Sequence, residues 1–357
     1  VTGAGGGLGK SYALLLAHQG ATVVVNDMGK TASGEMLADS VVKEIKTAGG
    51  QAIPNYSNVL NAHEIVSDVV KKCGGLHILI NNAGILRDKS FSKLTKKDWN
   101  DVIDVHLNGT FMMTKACLPI FIKQKFGRIL NTTSAVGLYG NYGQSNYSSA
   151  KAGIISFTKS LAHEVGKHNI LVNVVAPNAG TNMTATVLPK NVVELLKPEF
   201  VAPFVCALCH PKSAINGRIF ETGSGWISEV RWERSRWVPT YPANIQKAFL
   251  ETKTNTGATY PANAQTSFME IQQLGSSEKS QSTGDVKNQF VVKDKDIILY
   301  NVGIGFGEKD LRYTYENASD FKSFPTFGVI PGFSGMMSIP MESYLQSFNP
   351  VCSSQLL

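Results

Sequence analysis

Apolar and polar positions fall along this chain in blocks that read alternately as strand, turn and helix. The opening Val1-Thr2-Gly3-Ala4 runs through a glycine cluster into the helix-like stretch Lys10 to His18, and a second apolar run, Ala21 to Val25, ends on Asn26-Asp27. Strand-like runs recur at Leu76 to Ile80 and Leu171 to Val175, another apolar run ends at Ser134, and Val201 to Cys209 reads as a buried helix. Strands that alternate with helices predict βαβ units and a doubly wound parallel α/β sheet. Trp99 to Phe111 reads as one central helix. From about Pro239 to Asn288 the chain turns polar, rich in Asn, Gln, Thr and Ser, which suits a linker with one helix near Thr266 to Leu274. A new segment then begins, with Asp296 to Tyr300, Asp310 to Glu316 and Ser323 to Ile330 as its blocks.

The first turn carries the pattern Thr-Gly-x-x-x-Gly-x-Gly at Gly3, Gly7 and Gly9, with Leu8 between the last two. Glycines let a backbone turn tightly and approach a pyrophosphate, which then lies at a helix N-terminus where free N–H groups and the helix dipole favour anions. Asp27 follows Gly9 by eighteen residues, where a ribose hydroxyl would lie. A carboxylate there accepts from a 2′-hydroxyl and repels a 2′-phosphate, so the expected cofactor is NAD rather than NADP.

Tyr147 and Lys151 are spaced to share one helix face, about one turn apart. An ammonium beside a phenol favours the phenolate, so the expectation is a Tyr147 pKa drawn down toward working pH, suited to trading a proton with a substrate oxygen. Ser134 offers a hydroxyl to the same oxygen, and its other reading is a turn or helix cap.

With Asn81-Asn82-Ala83-Gly84 between these blocks, the motifs in order resemble the short-chain dehydrogenase/reductase family from residue 1 to about residue 237. The resemblance implies a Rossmann-like fold. It also implies Tyr147 as general base, Ser134 on the reacting oxygen, and Lys151 on the cofactor ribose. Asn82, Ala83 and Gly84 then line the adenine–ribose side, and Pro177 lies beside the nicotinamide. Many family members place an Asn in the central helix, where this chain has His106; Asn108, about 200° around the helix, faces elsewhere. Two readings of His106 stand side by side: it holds a relay water, or it fills a satisfied interior position.

Asn82 to Asp88, Gly140 to Gln144, Ala176 to Gly180 and Arg231 to Arg234 are similar to the dehydrogenase domain of the type-two multifunctional enzymes of peroxisomal fatty-acid β-oxidation. That family carries a His at the place of His106. The likeness implies NAD-dependent oxidation of (3R)-3-hydroxyacyl-CoA to 3-ketoacyl-CoA, a homodimer formed through the helices bearing His106 and Tyr147, and a peroxisomal location. The later segment resembles the start of that family's hydratase-two domain, an incomplete hot-dog-like piece. The expected organisation is a dehydrogenase domain at 1–238, a linker at 239–289 and a hydratase-like portion at 290–357. Hydratase activity is not expected of this chain, since that chemistry needs positioned titratable groups and no His follows His210. Both ends read as clipped, because the chain opens without Met at what looks like the end of a strand. The last residues are not a Ser-Lys-Leu signal.

Composition narrows the rest. At 357 residues, two domains are expected, and with 43% hydrophobic residues no apolar run is long enough to span a bilayer. Five Cys in no regular framework suggest a reducing compartment, and Cys206 and Cys209 read as buried helix residues, so no metal is expected. The net charge of +7 suits an anionic acyl-CoA partner. Nucleic acid is not expected, because the basic stretch Arg231 to Trp237 holds an acid and reads as a packing element, an acyl-CoA contact or a solvated segment. Two rival functions remain: oxidation of a steroid or other secondary alcohol, or an inactive NAD-binding fragment.

Overall fold

A computed structural model describes residues 1–180, 196–235, 250 and 252–271. Chain contacts divide it into two compact units, Val1–Arg231 and Trp232–Leu357. In the first unit, β1 (Thr22–Asn26) pairs with β2 (Gln51–Asn55), and β3 (Ile78–Asn81), β4 (Gly127–Thr132), β5 (Ile170–Asn178), β6 (Ile219–Gly223) and β7 (Trp226–Val230) form a second ladder in that order. Residues 1–4 knit the two together. The Ala4 amide donates to the Asn26 carbonyl at 2.9 Å and the Thr2 amide to the Ile80 carbonyl at 3.0 Å. All named strand pairs are parallel except β6–β7, an antiparallel hairpin. Pro54 is tolerated in β2 because this is an edge strand, where a missing N–H costs no ladder bond.

Period-two alternation along the strands feeds two cores. Ile80 and Leu130 face the cluster that includes α1 (Gly7–His18) and α2 (Leu37–Thr47), while their neighbours Leu79 and Ile129 face the cluster that includes α3 (Ala62–Cys73). In α2, Ala38, Val41, Val42 and Ile45 are buried, and in α3 Ala62, Ile65, Val66 and Val69, the spacing of one apolar helical stripe each. β4 is buried at every position, as a central parallel strand covered on both faces must be. The strands expected at Ala21–Val25, Leu76–Ile80 and Leu171–Val175 form, the opening Val1–Ala4 makes only an isolated bridge from Thr2 to Asn26, and the helix after Val201 forms as Ala202–Cys209 after a short 3₁₀ turn at Pro198–Phe200.

The central helix is not continuous. α4 (Lys96–Ile103), closed at its start by a Thr95–Asp98 capping box, passes through a π-helical turn at Asp104–Asn108 into α5 (Gly109–Gln124). Such turns concentrate at functional sites because the extra residue re-aims side chains. Here the turn sends His106 inward and leaves Asn108 bonding the Asp104 carboxylate at 2.7 Å on the surface. α6 (Ala135–Tyr139) and α7 (Ser145–Val165) follow β4, and α8 (Ala202–Cys209) completes the described helices of this unit.

In the second unit, Arg234 forms an antiparallel bridge with Thr259, and its guanidinium reaches Thr259, Ser267 and Glu270. Glu233 accepts from the Tyr260 hydroxyl at 2.7 Å. These contacts make Glu233 and Arg234 packing residues of a small element that includes a helix at 264–271, close to the one expected from Thr266. The whole of the expected hydratase-like portion at 290–357, with Cys352, lies outside the described residues.

Candidate active site

The parallel strands deliver every chemistry-bearing motif of the first unit to their carboxyl ends, where ligands bind in open α/β sheets. At the nucleotide end the structure is a fit of backbone to backbone. Gly3 and Gly7 adopt φ of +62° and +50°, in the left-handed region that other residues rarely enter. A Cβ on Gly9 would stand 2.2 Å from the Gly3 carbonyl oxygen, and one on Gly3 would stand 2.7 Å from Ala83 Cα. The Thr2 hydroxyl accepts from the amides of Asn82 and Ala83, both at 3.0 Å, and Asn82 Nδ2 donates to the Thr2 and Gly3 carbonyls. Leu8 packs half-buried on the first core and anchors the start of α1. No side chain caps that start, so its first amides stay available to an anion beside the exposed Gly6 and Gly7. Asp27 accepts from the Gly5 amide at 2.8 Å and the Gly29 amide at 2.7 Å, fixing its carboxylate against the glycine turn. This is a cradle whose shape suits a dinucleotide.

The second cluster is built from side chains. Tyr147 and Lys151 sit one turn apart in α7, with the Lys151 ammonium nitrogen 5.5 Å from the centre of the Tyr147 ring. Ser134 accepts from the Val136 amide at 3.2 Å as the cap of α6, and its hydroxyl acts on the Tyr147 phenol, favouring the phenolate. His106 stands edge-on to the same ring, centroids 5.1 Å apart, and is 2% exposed. Its Nε2 lies 2.8 Å from the carbonyl and 3.0 Å from the amide of Ile85. Nδ1 is buried without a protein partner. A Cβ on Gly84 would meet the imidazole at 2.4 Å, which is why glycine stands there. Pro177, at the end of β5, pairs across to Thr222 of β6.

The expectation that Lys151 lowers the Tyr147 pKa is corrected by the structure. Burial raises it, opposed by the hydrogen bond from Ser134 and reinforced by the negative charge of Asp88. Lys151 is itself enclosed, donating to the Thr132 carbonyl at 2.7 Å, and burial pushes its pKa down to about 7. For Tyr147 the largest influence is its own desolvation. Burial first, and the charge of Lys151 second, hold His106 neutral with a pKa of about 3.

Several contributors gave no sequence signal. Asn146 is fully buried; its amide donates to the Arg87 and Asp98 carbonyls, both at 3.2 Å, and its oxygen accepts from the Tyr147 amide at 2.8 Å. Beneath the site, Asn81 donates to Asn131 at 2.9 Å and to Thr114 at 3.2 Å, and Asn131 donates to Thr158 at 2.9 Å. This chain of buried amides and hydroxyls ties β3, β4, α5 and α7 together. Gly137 lets α6 close on α7, since a Cβ there would lie 2.6 Å from that of Lys151. Cys206 and Cys209 lie on α8 with thiols pushed up by burial to about 11 and about 12, those of inert core residues. No cluster able to hold a metal and no helix long and apolar enough to cross a membrane occurs among the described residues.

Residues 1–191 match the short chain dehydrogenase family, and the chain belongs to it. As a member it is an oxidoreductase that uses a nicotinamide cofactor. Residues 290–353 match a second family, the MFE-2 hydratase 2 N-terminal domain. The chain is 40% identical to the peroxisomal multifunctional enzyme type 2 of Mus musculus over 95% of its length and 51% of that relative's. It is 39% identical to the peroxisomal hydratase-dehydrogenase-epimerase of Neurospora crassa, over 98% of this chain and 42% of that one. The full-length peroxisomal multifunctional enzyme type 2 of Drosophila melanogaster superposes with a TM-score of 0.66 at 37% identity, covering 95% of this chain and 61% of that one. The chain thus spans about half the length of the curated relatives it matches.

Proposed function

We propose that this chain oxidises (3R)-3-hydroxyacyl-CoA to 3-ketoacyl-CoA with NAD, as the dehydrogenase part of a peroxisomal β-oxidation enzyme. The observation that carries the reading is Tyr147 on α7, one turn from Lys151 whose ammonium nitrogen lies 5.5 Å from its ring centre, with Ser134 at the end of β4 acting on its phenol and the Asp27-braced glycine turn in the same unit. The names and similarity of the relatives supply the substrate class and the compartment.

Bound NAD supplies the hydride acceptor. Gly3, Gly7, Leu8 and Gly9 would hold its pyrophosphate at the start of α1, Asp27 would receive the adenosine ribose, and Asn82, Ala83 and Gly84 would line the adenine–ribose side. The negative charge of Asp27 would disfavour a 2′-phosphate and so favour NAD. Tyr147 takes the substrate hydroxyl proton, Ser134 donates to the same oxygen as carbonyl character develops, and Lys151 holds the nicotinamide ribose. His106, neutral, fixes the ring of Tyr147 and the backbone at Ile85. Pro177 walls the nicotinamide side. The half-exposed Phe111, stacked edge-on with Phe157, supports homodimer formation through α5 and α7.

The test is NADH formation with a panel of (3R)-3-hydroxyacyl-CoA esters and steroid alcohols. Fast turnover of the acyl-CoA esters is expected. Turnover of steroids alone, or none with NAD bound, overturns the reading.

A further inference from the structure

Two motifs remain without a role: Ile85-Leu86-Arg87-Asp88 after β3, and Gly140-Asn141-Tyr142-Gly143-Gln144 before α7. The fold brings them together as one wall beside Tyr147. Ile85 bonds His106, the Arg87 carbonyl accepts from Asn146, the Lys89 amide donates to the Gly143 carbonyl at 2.9 Å, and Gln144 Nε2 donates to the Asp88 carboxylate at 2.8 Å. Gln144 is itself held, its oxygen accepting from Asn141 at 2.7 Å. The wall is therefore cross-tied from both motifs, and the position of Asp88 is set by it.

The charges on this wall are sorted. Lys89 turns away to Asp98 at 2.8 Å, and Arg87 turns to Asp101 at 3.7 Å. Asp88, between them in sequence, has no cation partner among the described residues, only the neutral Gln144 amide. Its negative charge reaches the catalytic phenol, for it acts on the titration of Tyr147. A carboxylate on the wall beside Tyr147 opposes formation of the phenolate.

We propose that Asp88 is a charge filter that makes the site favour 3-hydroxyacyl thioesters over free 3-hydroxy acids. In a 3-hydroxyacyl compound the C1 group lies two carbons from the reacting centre. A thioester is neutral at C1, whereas the free acid brings a carboxylate into the field of Asp88, and like charges repel. This inference rests on the dehydrogenase reading above and adds which C1 chemistry the cleft admits.

The experiment uses the full chain with NAD and two probes of equal acyl length, (3R)-3-hydroxybutyrate and its N-acetylcysteamine thioester, which lacks the phosphates of coenzyme A. Asp88→Asn keeps the acceptor for Gln144 and removes the charge. The ratio of kcat/KM for acid over thioester is expected to rise about five- to tenfold, through KM for the acid, and the rise should shrink at high salt. Gln144→Glu, which adds a carboxylate to the same wall, should lower that ratio. If Asp88 served only to brace the wall or to cap α7, both probes would change alike, and an unchanged ratio in Asp88→Asn overturns the filter while leaving the dehydrogenase reading intact. Wild-type protein that turns over neither probe nor any acyl-CoA ester overturns the dehydrogenase reading, and the filter with it.

Discussion

The two halves of the active site are made of different material. The nucleotide half is backbone: Gly3 and Gly9 fit against Ala83, Asn82 and one another with no room for a Cβ, and the polar contacts there run mostly to peptide groups. The catalytic half is side chain: Tyr147, Ser134, Lys151, His106, Asn146 and the buried Asn81–Asn131–Thr158 chain hold one another. A backbone site is damaged by adding atoms, and a side-chain site by removing them. The difference also sets electrostatics, for the catalytic half is closed enough to push Lys151 down to about 7 while the start of α1 stays open for an anion.

The largest effect should come from Tyr147→Phe, which removes the proton acceptor and little volume. Turnover should fall by about 10²–10⁴-fold, with NAD affinity measured by fluorescence changing little, because the other half is untouched. Retention of more than about a hundredth of wild-type turnover would sink the general-base assignment. Gly9→Ala is the converse break. Its Cβ collides with the Gly3 carbonyl, so NAD affinity should fall by more than about tenfold and stability by about 1–3 kcal/mol in urea unfolding.

Asn131→Ala tests the buried chain under the catalytic half. It leaves Asn81 and Thr158 short of a partner and should cost about 2–3 kcal/mol of stability, with NAD affinity reduced less than turnover. Equal loss of both would show that the halves are not separable. Asp27→Ala should weaken NAD and narrow its preference over NADP by about tenfold, read as the ratio of kcat/KM for the two cofactors. An unchanged ratio removes the basis for naming NAD.

The smallest effect is a slope. Lys151 has a folded pKa near 7, below its unfolded value, so between about pH 7 and 10.5 the unfolded chain binds more protons and stability rises with pH through that window. In cofactor-free protein, Lys151→Met should remove that rise, giving a flatter stability curve between those limits by denaturant titration. A slope the same as wild type would mean that Lys151 is not desolvated.

Much of the nucleotide half was legible in the sequence because glycine spacing is a local record of backbone conformation. The turn, the helix after it and the acid at Asp27 can be read without a partner, and the Tyr147–Lys151 pair is local to one helix. Asn146 and Asn131 were not legible, because a buried Asn is defined by what it bonds across the fold, up to 59 residues away for Arg87. The break in the central helix was missed as well: Trp99 to Phe111 carries an ordinary helical pattern, and the π turn is imposed by packing that sends His106 against Ile85 and Tyr147.

The chain alone therefore determined the family, the glycine turn before α1 and the pairing of Tyr147 with Lys151 on one helix face, since each is written in spacing that survives any arrangement of the rest. Tertiary structure decided which way the pKa of Tyr147 moves. Local reasoning placed a cation beside it and expected a lowered pKa, but only the closed fold shows Lys151 stripped of water, Asp88 left unpaired on the facing wall, and His106 sealed neutral. Proximity in sequence sets which groups can meet, while desolvation and long-range charge depend on every element packed around them.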